Sequence, residues 1–459
     1  MNKQISFKEA VTILILMLVM LGWGVIGFGM SPQIPVLTVI ALLIFWLQIR
    51  GFEWEEVMKG ISQGISTAIV PIFLFLLIGT LIAVWIQAGI IPFLMVLGFH
   101  MISSHFFVPS VFLVCSLVGL AIGSGFTTVS TVGIALFGMG STLGINPALT
   151  AGAIISGAVF GDKMSPLSDS TNLASAVAET DLFEHIKNMM WSTIPAFIGS
   201  LLFFFFLGQS NKATSLSGIA AVESSLRQNF SVSFWSALPI ILIFACAWKK
   251  VPAIQTLFAN IFLSVAMIFV QNPGFKMQKL ATLIESGYVS NSGNKTVDAL
   301  LTRGGISSMM GTVSLIIMTL ALGGILMHLG IIDSAMKPLV ERLKKPGRLI
   351  LTTIMAGIGI NLFVGEQYLS VILPANAFKP AYKRIGLDPL ALSRALEDGG
   401  SVINYLIPWG VAGSFVASAL GVPVLDFLPF TMFSLLSPVF SILSGFTGIG
   451  LKWKQEKVA

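Results

Sequence analysis

Apolar residues run along this chain in long stretches with hardly a charge, as in Val11–Leu21 continuing to Met30, Pro195–Leu207 and Val251–Val270. A helix that crosses the hydrocarbon core needs about 20 mostly apolar residues, so these runs predict membrane-spanning helices. The pattern gives a first pair at about 9–30 and 34–49, and a second at 232–248 and 251–270. Longer helices follow at 64–88 and 304–328. Two shorter apolar pieces flank a Gly-rich centre in each case, 106–122 with 126–140 and 349–364 with 367–380. Their length of about 15–18 residues fits re-entrant hairpins better than full crossings. Interrupted helices are expected at 146–178 and 389–420, and closing helices at 186–208 and 424–447.

Composition widens the same conclusion to the whole chain. It is 55% hydrophobic and 10% charged, with a mean hydropathy of +0.91. Soluble domains carry roughly 25% charged residues, so this chain cannot cover itself with polar groups in water. The fold class expected is all-α, a polytopic membrane protein with the lipid bilayer as its solvent. The first apolar run is too long for a signal-peptide core and is read as a retained helix. The net charge of +6 sits in loops and tails, where it sets orientation and does not speak for nucleic acid. Cys115 and Cys246 are isolated in apolar runs and are read as packing residues.

Sliding the chain over itself exposes a repeat. At an offset of 241 residues Gly64 meets Gly305 and Gly89 meets Gly330. At 242 residues Gly123 meets Gly365, Gly144 meets Gly386, Pro147 meets Pro389, Gly157 meets Gly399 and Pro166 meets Pro408. The matches fall on the residues that fix backbone shape, not on the common apolar ones. The chain is accordingly divided into a first membrane repeat at 1–208, a polar linker at 209–230 and a second membrane repeat at 231–459, with about five crossings each.

Charge then orients the halves. Residues 89–108 and 137–146 hold no Lys or Arg. Their repeat partners hold Lys337, Arg342, Lys344, Lys345 and Arg348, and Lys379, Lys383 and Arg384. Positive loops stay in the cytoplasm, so equivalent loops lie on opposite sides, which is an inverted-topology repeat. Both termini are expected inside, in keeping with Lys3 and Lys8 at one end and Lys452, Lys454 and Lys457 at the other. The 272–303 loop, with Lys276, Lys279, Lys295 and Arg303, violates the rule.

Polar chemistry concentrates at the interruptions. The first reads Gly161-Asp162-Lys163-Met164-Ser165-Pro166-Leu167-Ser168-Asp169-Ser170-Thr171-Asn172, and the second Glu397-Asp398-Gly399-Gly400-Ser401-Val402-Ile403-Asn404. Unwound backbone at membrane depth is tolerated where it lines a cavity or a site, and its carbonyls coordinate cations. Asp162, Asp169, Ser168, Thr171 and Asn172 supply oxygens of the kind hard cations take. The repeat sets Asn404 opposite Asp162. The hairpin tips add Ser124 and Thr128 on one side and Glu366 on the other, with Ser130, Thr131, Gln367, Ser370 and Asn361 nearby. Each acid also has a purely structural explanation: Asp162 pairing with Lys163, Asp169 capping a half-helix, Glu397 and Asp398 pairing with Arg394. His328 reads as a helix-end residue, and His100 and His105 as exposed in an outer loop. No phosphate-binding loop, dinucleotide motif or His/Cys cluster is present, so no cofactor and no enzymatic activity are expected.

The stretch Gly161–Ala174, GDKMSPLSDSTNLA, closely resembles the signature of the NhaC family of Na⁺/H⁺ antiporters, which also includes an exchanger of malate and protons for lactate and sodium. Thr131–Leu136, Glu366–Leu369, Phe378–Tyr382, Ser393–Asp398 and Leu406–Trp409 are similar to the family as well. Asn404-Tyr405 and Gly410-Val411 stand where the family usually has hydroxyl residues. The resemblance implies the wider ion-transporter superfamily, re-entrant hairpins, broken helices and often a homodimer in the bacterial inner (plasma) membrane. The function expected is antiport in which Na⁺ and protons compete for intramembrane carboxylates, first Asp162, Asp169 and Glu366, then Glu397 and Asp398. The alternative is sodium- or proton-coupled transport of a small organic anion or amino acid.

Overall fold

A computed structural model describes residues 5–101, 106–209, 216–341 and 343–453. His105, Arg342, Lys3, Lys454 and Lys457 lie outside them. Among the described residues the chain is helical with no strand, apart from two isolated bridges. Among the described residues, seven helices are long and apolar enough to cross a membrane, or nine if two bent pairs each count as one.

The chain opens with α1 (Phe7–Gly22), started by a reciprocal cap between Ser6 and Glu9, and returns through α2 (Gln33–Ile49). The expected third helix is two: amphipathic α3 (Trp54–Ser66) and apolar α4 (Ile69–Gln87). Helix α3 buries Val57, Gly60 and Gly64. A Cβ added at Gly64 would stand 1.9 Å from the Leu320 carbonyl oxygen and 2.9 Å from the Gly324 Cα. This small-residue seam lets two helices approach backbone to backbone, and it fixes α3 on α17 (Ile306–His328).

Residues 89–108, read from sequence as an outer loop, instead hold α5 (Ile90–Met101). His100 stays exposed there and bonds the Val96 carbonyl. The first hairpin consists of α6 (Phe107–Ile122), a short turn α7 (Gly125–Thr128), a π-turn (Val129–Gly133) and α8 (Ile134–Thr142). Helices α9 (Pro147–Met164) and α10 (Asp169–Ala178) flank the first interruption, and α11 (Leu182–Gln209) follows. The polar linker is partly helical, as α12 (Leu216–Asn229). Then come α13 (Leu238–Trp248) and α14 (Ala253–Gln271). The 272–303 loop holds α15 (Met277–Ser286) and α16 (Lys295–Leu301). After α17, α18 (Ile331–Glu341) occupies a stretch expected to be loop. The second hairpin is α19 (Pro346–Val364) with α20 (Gln367–Arg384). Helix α21 (Pro389–Leu396) runs through a π-turn (Glu397–Ser401) and a 3₁₀ turn (Asn404–Leu406) to α22 (Val411–Leu420). The last helix is bent by 56° between Val424–Phe430, which includes α23 (Val424–Phe427), and α24 (Met432–Thr447).

The positions matched by the offset share local geometry. Gly123 and Gly365 each end a hairpin's first leg at φ +71° and +69°, a left-handed cap that a side chain resists. Ser124 and Glu366, one residue on, cap the second legs. Asn146 and Asp388 cap the broken helices ahead of Pro147 and Pro389.

Burial sorts the helices by their surroundings. The Phe7–Gly27 and Leu182–Gly208 spans are 28% buried, whereas Pro389–Leu420 is 83% buried. Apolar side chains such as Ile15, Leu16, Leu42 and Phe45 point outward, as contact with lipid requires. The broken helices therefore run through the middle of the bundle. Elements from both sides of the linker interleave, with α3 on α17, α11 on α24 and α4 on α14.

Candidate ion-binding site

The break after α9 leaves carbonyls without helical partners. The Thr171 hydroxyl donates to the Lys163 carbonyl at 3.1 Å, and Asn172 Nδ2 donates to the Ser168 and Pro166 carbonyls at 2.7 and 3.0 Å. Helix α10 is capped by the Ser168 hydroxyl, which accepts the Thr171 N–H. Asp169 is the first helical residue and not the cap that the Ser-Asp-Ser-Thr-Asn run allowed.

The breaks, the hairpin tips and the α13–α14 turn enclose a cavity of about 530 Å³. Asp162, Asp169 and Glu366 line it, with Ser124, Ser170, Asn172 and Asn404. The ends of α7, α10 and α20 abut it through Gly125, Ser170 and Tyr368. Asp162 stands beside the first hairpin's tip: a Cβ added at Gly125 would lie 3.7 Å from its Oδ2. Glu366 is 4% exposed and accepts the Leu369 N–H at 2.8 Å. The Tyr368 phenol lies within electrostatic reach of all three acids. The three share one wall system but do not converge: no group of three His, Cys, Asp or Glu side chains among the described residues is placed to hold one ion jointly. Lys250, Val251 and Pro252, in the turn between α13 and α14, also line the cavity.

Other expected site residues are spent on structure or stand behind the cavity. Thr128 donates to the Ser124 carbonyl at 2.9 Å. Asn404 donates to Asn361 Oδ1 at 2.6 Å and accepts the Ala412 N–H at 3.0 Å, so it ties the second break to its own hairpin. Ser130 and Thr131 bond the Thr127 carbonyl. Glu397 is fully buried, and its Oε1 accepts the Ser170 hydroxyl at 3.0 Å.

Asp398 does not face the cavity. Its Oδ1 meets Lys163 Nζ at 2.6 Å, while the Ser437 and Ser192 hydroxyls donate to its two oxygens at 2.6 and 2.9 Å. Lys163 is 1% and Asp398 0% exposed. Two of the structural explanations offered by the sequence thus give way to one pair: Lys163 does not neutralise Asp162, and Arg394 does not hold Asp398 but donates to Ser444 at 2.7 Å. Ser192 and Ser437 lie in apolar runs and went unread. For Ser437 the signal was the 3- and 4-residue spacing of Ser434, Ser437, Ser441 and Ser444, which puts all four on one face of α24. His328 bonds Gln63 at the end of α17, and both cysteines are free.

Polar breaks buried in the centre of an apolar bundle, around a cavity with an acidic wall, define a multi-pass membrane transporter, not an enzyme. Residues 157–449 match the model of the Na⁺/H⁺ antiporter family, and the chain belongs to that family. It is 40% identical to the Na⁺/H⁺ antiporter NhaC of Bacillus subtilis over 97% of this chain and 99% of that one. It is 36% identical to the antiporter of the same name from Alkalihalophilus pseudofirmus over 99% of both. The arginine/ornithine antiporter ArcD of Halobacterium salinarum is also 36% identical, over 99% of this chain and 94% of its own.

Proposed function

We propose that the chain exchanges Na⁺ for protons, with Asp162 as the carboxylate on which the two compete. The observation that carries this is the placement of Asp162. It lies at the end of a half-helix, on the cavity wall, and the lysine next to it is engaged by Asp398. A carboxylate held away from bulk water is costly to leave charged and alone, so it takes a proton or a cation in turn. Asp169 and Glu366 add negative potential along the path and hold the ion in passing. Sodium-dependent collapse of a proton gradient in everted vesicles or proteoliposomes tests the proposal. Asp162→Asn is expected to abolish the signal, and exchange at the wild-type rate in that variant overturns the assignment.

The halves are inverted with respect to each other, both termini are cytoplasmic, and the protein resides in a bacterial inner membrane. The asymmetry of Lys and Arg between equivalent loops supports this. Single cysteines at Lys345 and Lys452 are expected to react with an impermeant thiol reagent in everted vesicles only.

One observation favours a second reading. A cavity of about 530 Å³ is in the range of small-molecule sites, and Phe75, Phe126 and Tyr368 line it beside the acids. That lining suits an amino acid with a cationic side chain, in keeping with the arginine/ornithine relative, and disfavours an organic anion. Counterflow of labelled arginine or ornithine in sodium-free proteoliposomes would establish it.

A further inference from the structure

A cation drawn out of water takes other oxygens in place of its hydration shell. The acids alone do not form such a shell, since among the described residues no three His, Cys, Asp or Glu side chains converge on one point. Neutral groups on the cavity wall have to complete it, and most of them are already engaged. The Ser124 hydroxyl accepts from Thr127, Ser170 donates to Glu397, and Asn172 donates to two carbonyls. Asn404 is held by Asn361. Gln367 differs. It lines the cavity as the first residue of α20, it is 9% exposed, and its Oε1 is enclosed with no hydrogen-bond partner.

An amide left unpaired inside a protein costs free energy that an apolar side chain of the same length does not, and such groups are rare. One that stands on a cavity wall finds its partner in what enters the cavity. The neighbours specify a cation. Glu366, the residue before, lines the same wall and accepts the Leu369 N–H at 2.8 Å, so its carboxylate offsets the positive end of α20. Tyr368, the residue after, lies within electrostatic reach of Asp162, Asp169 and Glu366. The Ser370 hydroxyl donates to the Gln367 backbone carbonyl at 2.6 Å and fixes the turn that carries the side chain. A half-turn about the last side-chain bond exchanges Oε1 with Nε2, so the oxygen can meet an arriving ion without movement of the stem.

We infer that Gln367 is a ligand of the transported cation, its amide oxygen serving beside the Glu366 carboxylate as the ion crosses the cavity. The inference rests on the cation-exchange reading and adds to it a neutral contact from the second hairpin. Amide oxygens are ordinary ligands of hard cations, and this one is the enclosed amide oxygen on the wall that no group of the protein claims.

The test measures sodium-dependent collapse of a proton gradient in proteoliposomes over a range of Na⁺ concentrations. Gln367→Met keeps the length of the side chain and removes the oxygen. It is expected to raise the KM for Na⁺ about ten-fold, the weight of one contact to a charged group, and to leave the rate at saturating Na⁺ within about two-fold. Its melting temperature is expected to stay at or above that of the wild type, because no bond of this structure is lost. Gln367→Glu, which keeps an oxygen and gives up the N–H donors, is expected to bring the KM back. An unchanged KM in Gln367→Met overturns the inference. So does a fall in melting temperature that accompanies the loss of transport, which makes the residue a structural prop. A loss in Gln367→Glu equal to that in Gln367→Met also overturns it, since the amide then acts as a donor. Failure of the wild-type protein to couple sodium to protons at all removes the exchange reading itself, a result distinct from these.

Discussion

Lys163 is enclosed by the bundle because its charge is answered on the spot. Asp398, Ser192 and Ser437 satisfy its ammonium, and the same serines satisfy the carboxylate. Breaking one member of a buried pair costs about 3–5 kcal/mol, since the other charge stays behind. Lys163→Met is therefore expected to lower the melting temperature of the purified protein sharply. Lys163→Met with Asp398→Leu is expected to recover much of the loss, because the stranded charge is gone. A second residue-scale prediction concerns Gly125. A Cβ there would stand 2.3 Å from Tyr405 Oη and 3.7 Å from Asp162 Oδ2. Gly125→Ala is expected to depress exchange about ten-fold or more by displacing groups around Asp162. Adding Tyr405→Phe, which removes the nearest atom, is expected to return part of the rate.

Close approach governs the elements too. Gly60 and Gly64 both face α17, but a Cβ at Gly64 falls 1.9 Å from the Leu320 carbonyl oxygen and one at Gly60 falls 3.1 Å from that of Gly324. Gly64→Ala is expected to destabilise by about 1–3 kcal/mol and Gly60→Ala by less, as read by thermal melting in detergent. Outside the membrane, the turn before α16 depends on Asp298, which accepts the Ser292 N–H at 2.7 Å and the Ser290 hydroxyl at 2.8 Å. The Ser292 amide and Ser290 hydroxyl hold its carboxyl below the usual range. A depressed folded-state value contributes stability above the ordinary carboxylate range, and that contribution is lost as pH falls through the depressed value. Proteolysis within 288–303 by an acid-active protease is expected to accelerate there, and in Asp298→Asn to be fast at every pH. The elements most legible in the sequence were those marked by abrupt changes: Gly123 and Gly365 at hairpin tips, and polar runs between apolar half-helices. Helix α5 escaped because an absence of charge was taken for an outer loop, and α12 because polar residues were taken for linker.

At the scale of the molecule, the sequence showed where charge interrupts apolar helices but not which charges meet. The sequence singled out Asp162, Asp169 and Glu366, and all three line one cavity. Pairing of Lys163 with Asp398 spans 235 residues, a distance at which no local pattern speaks. The matching offsets likewise reveal equivalent turns without saying how the two sets interleave. The buried bond from Trp85 to Asn260, at 2.7 Å, joins α4 to α14 across the linker. Asn260→Leu is expected to cost about 1–3 kcal/mol by stranding the indole N–H, measurable as a lower melting temperature.

The knot at Lys163 has a mechanical consequence. It rivets together α9, α11, α24 and the π-turn after α21, drawn from opposite ends of the chain. Any motion that turns Asp162 from one face of the membrane to the other must carry those four as a single block, or separate charges in a medium that will not solvate them. A slip plane for such a motion therefore has to pass outside this block.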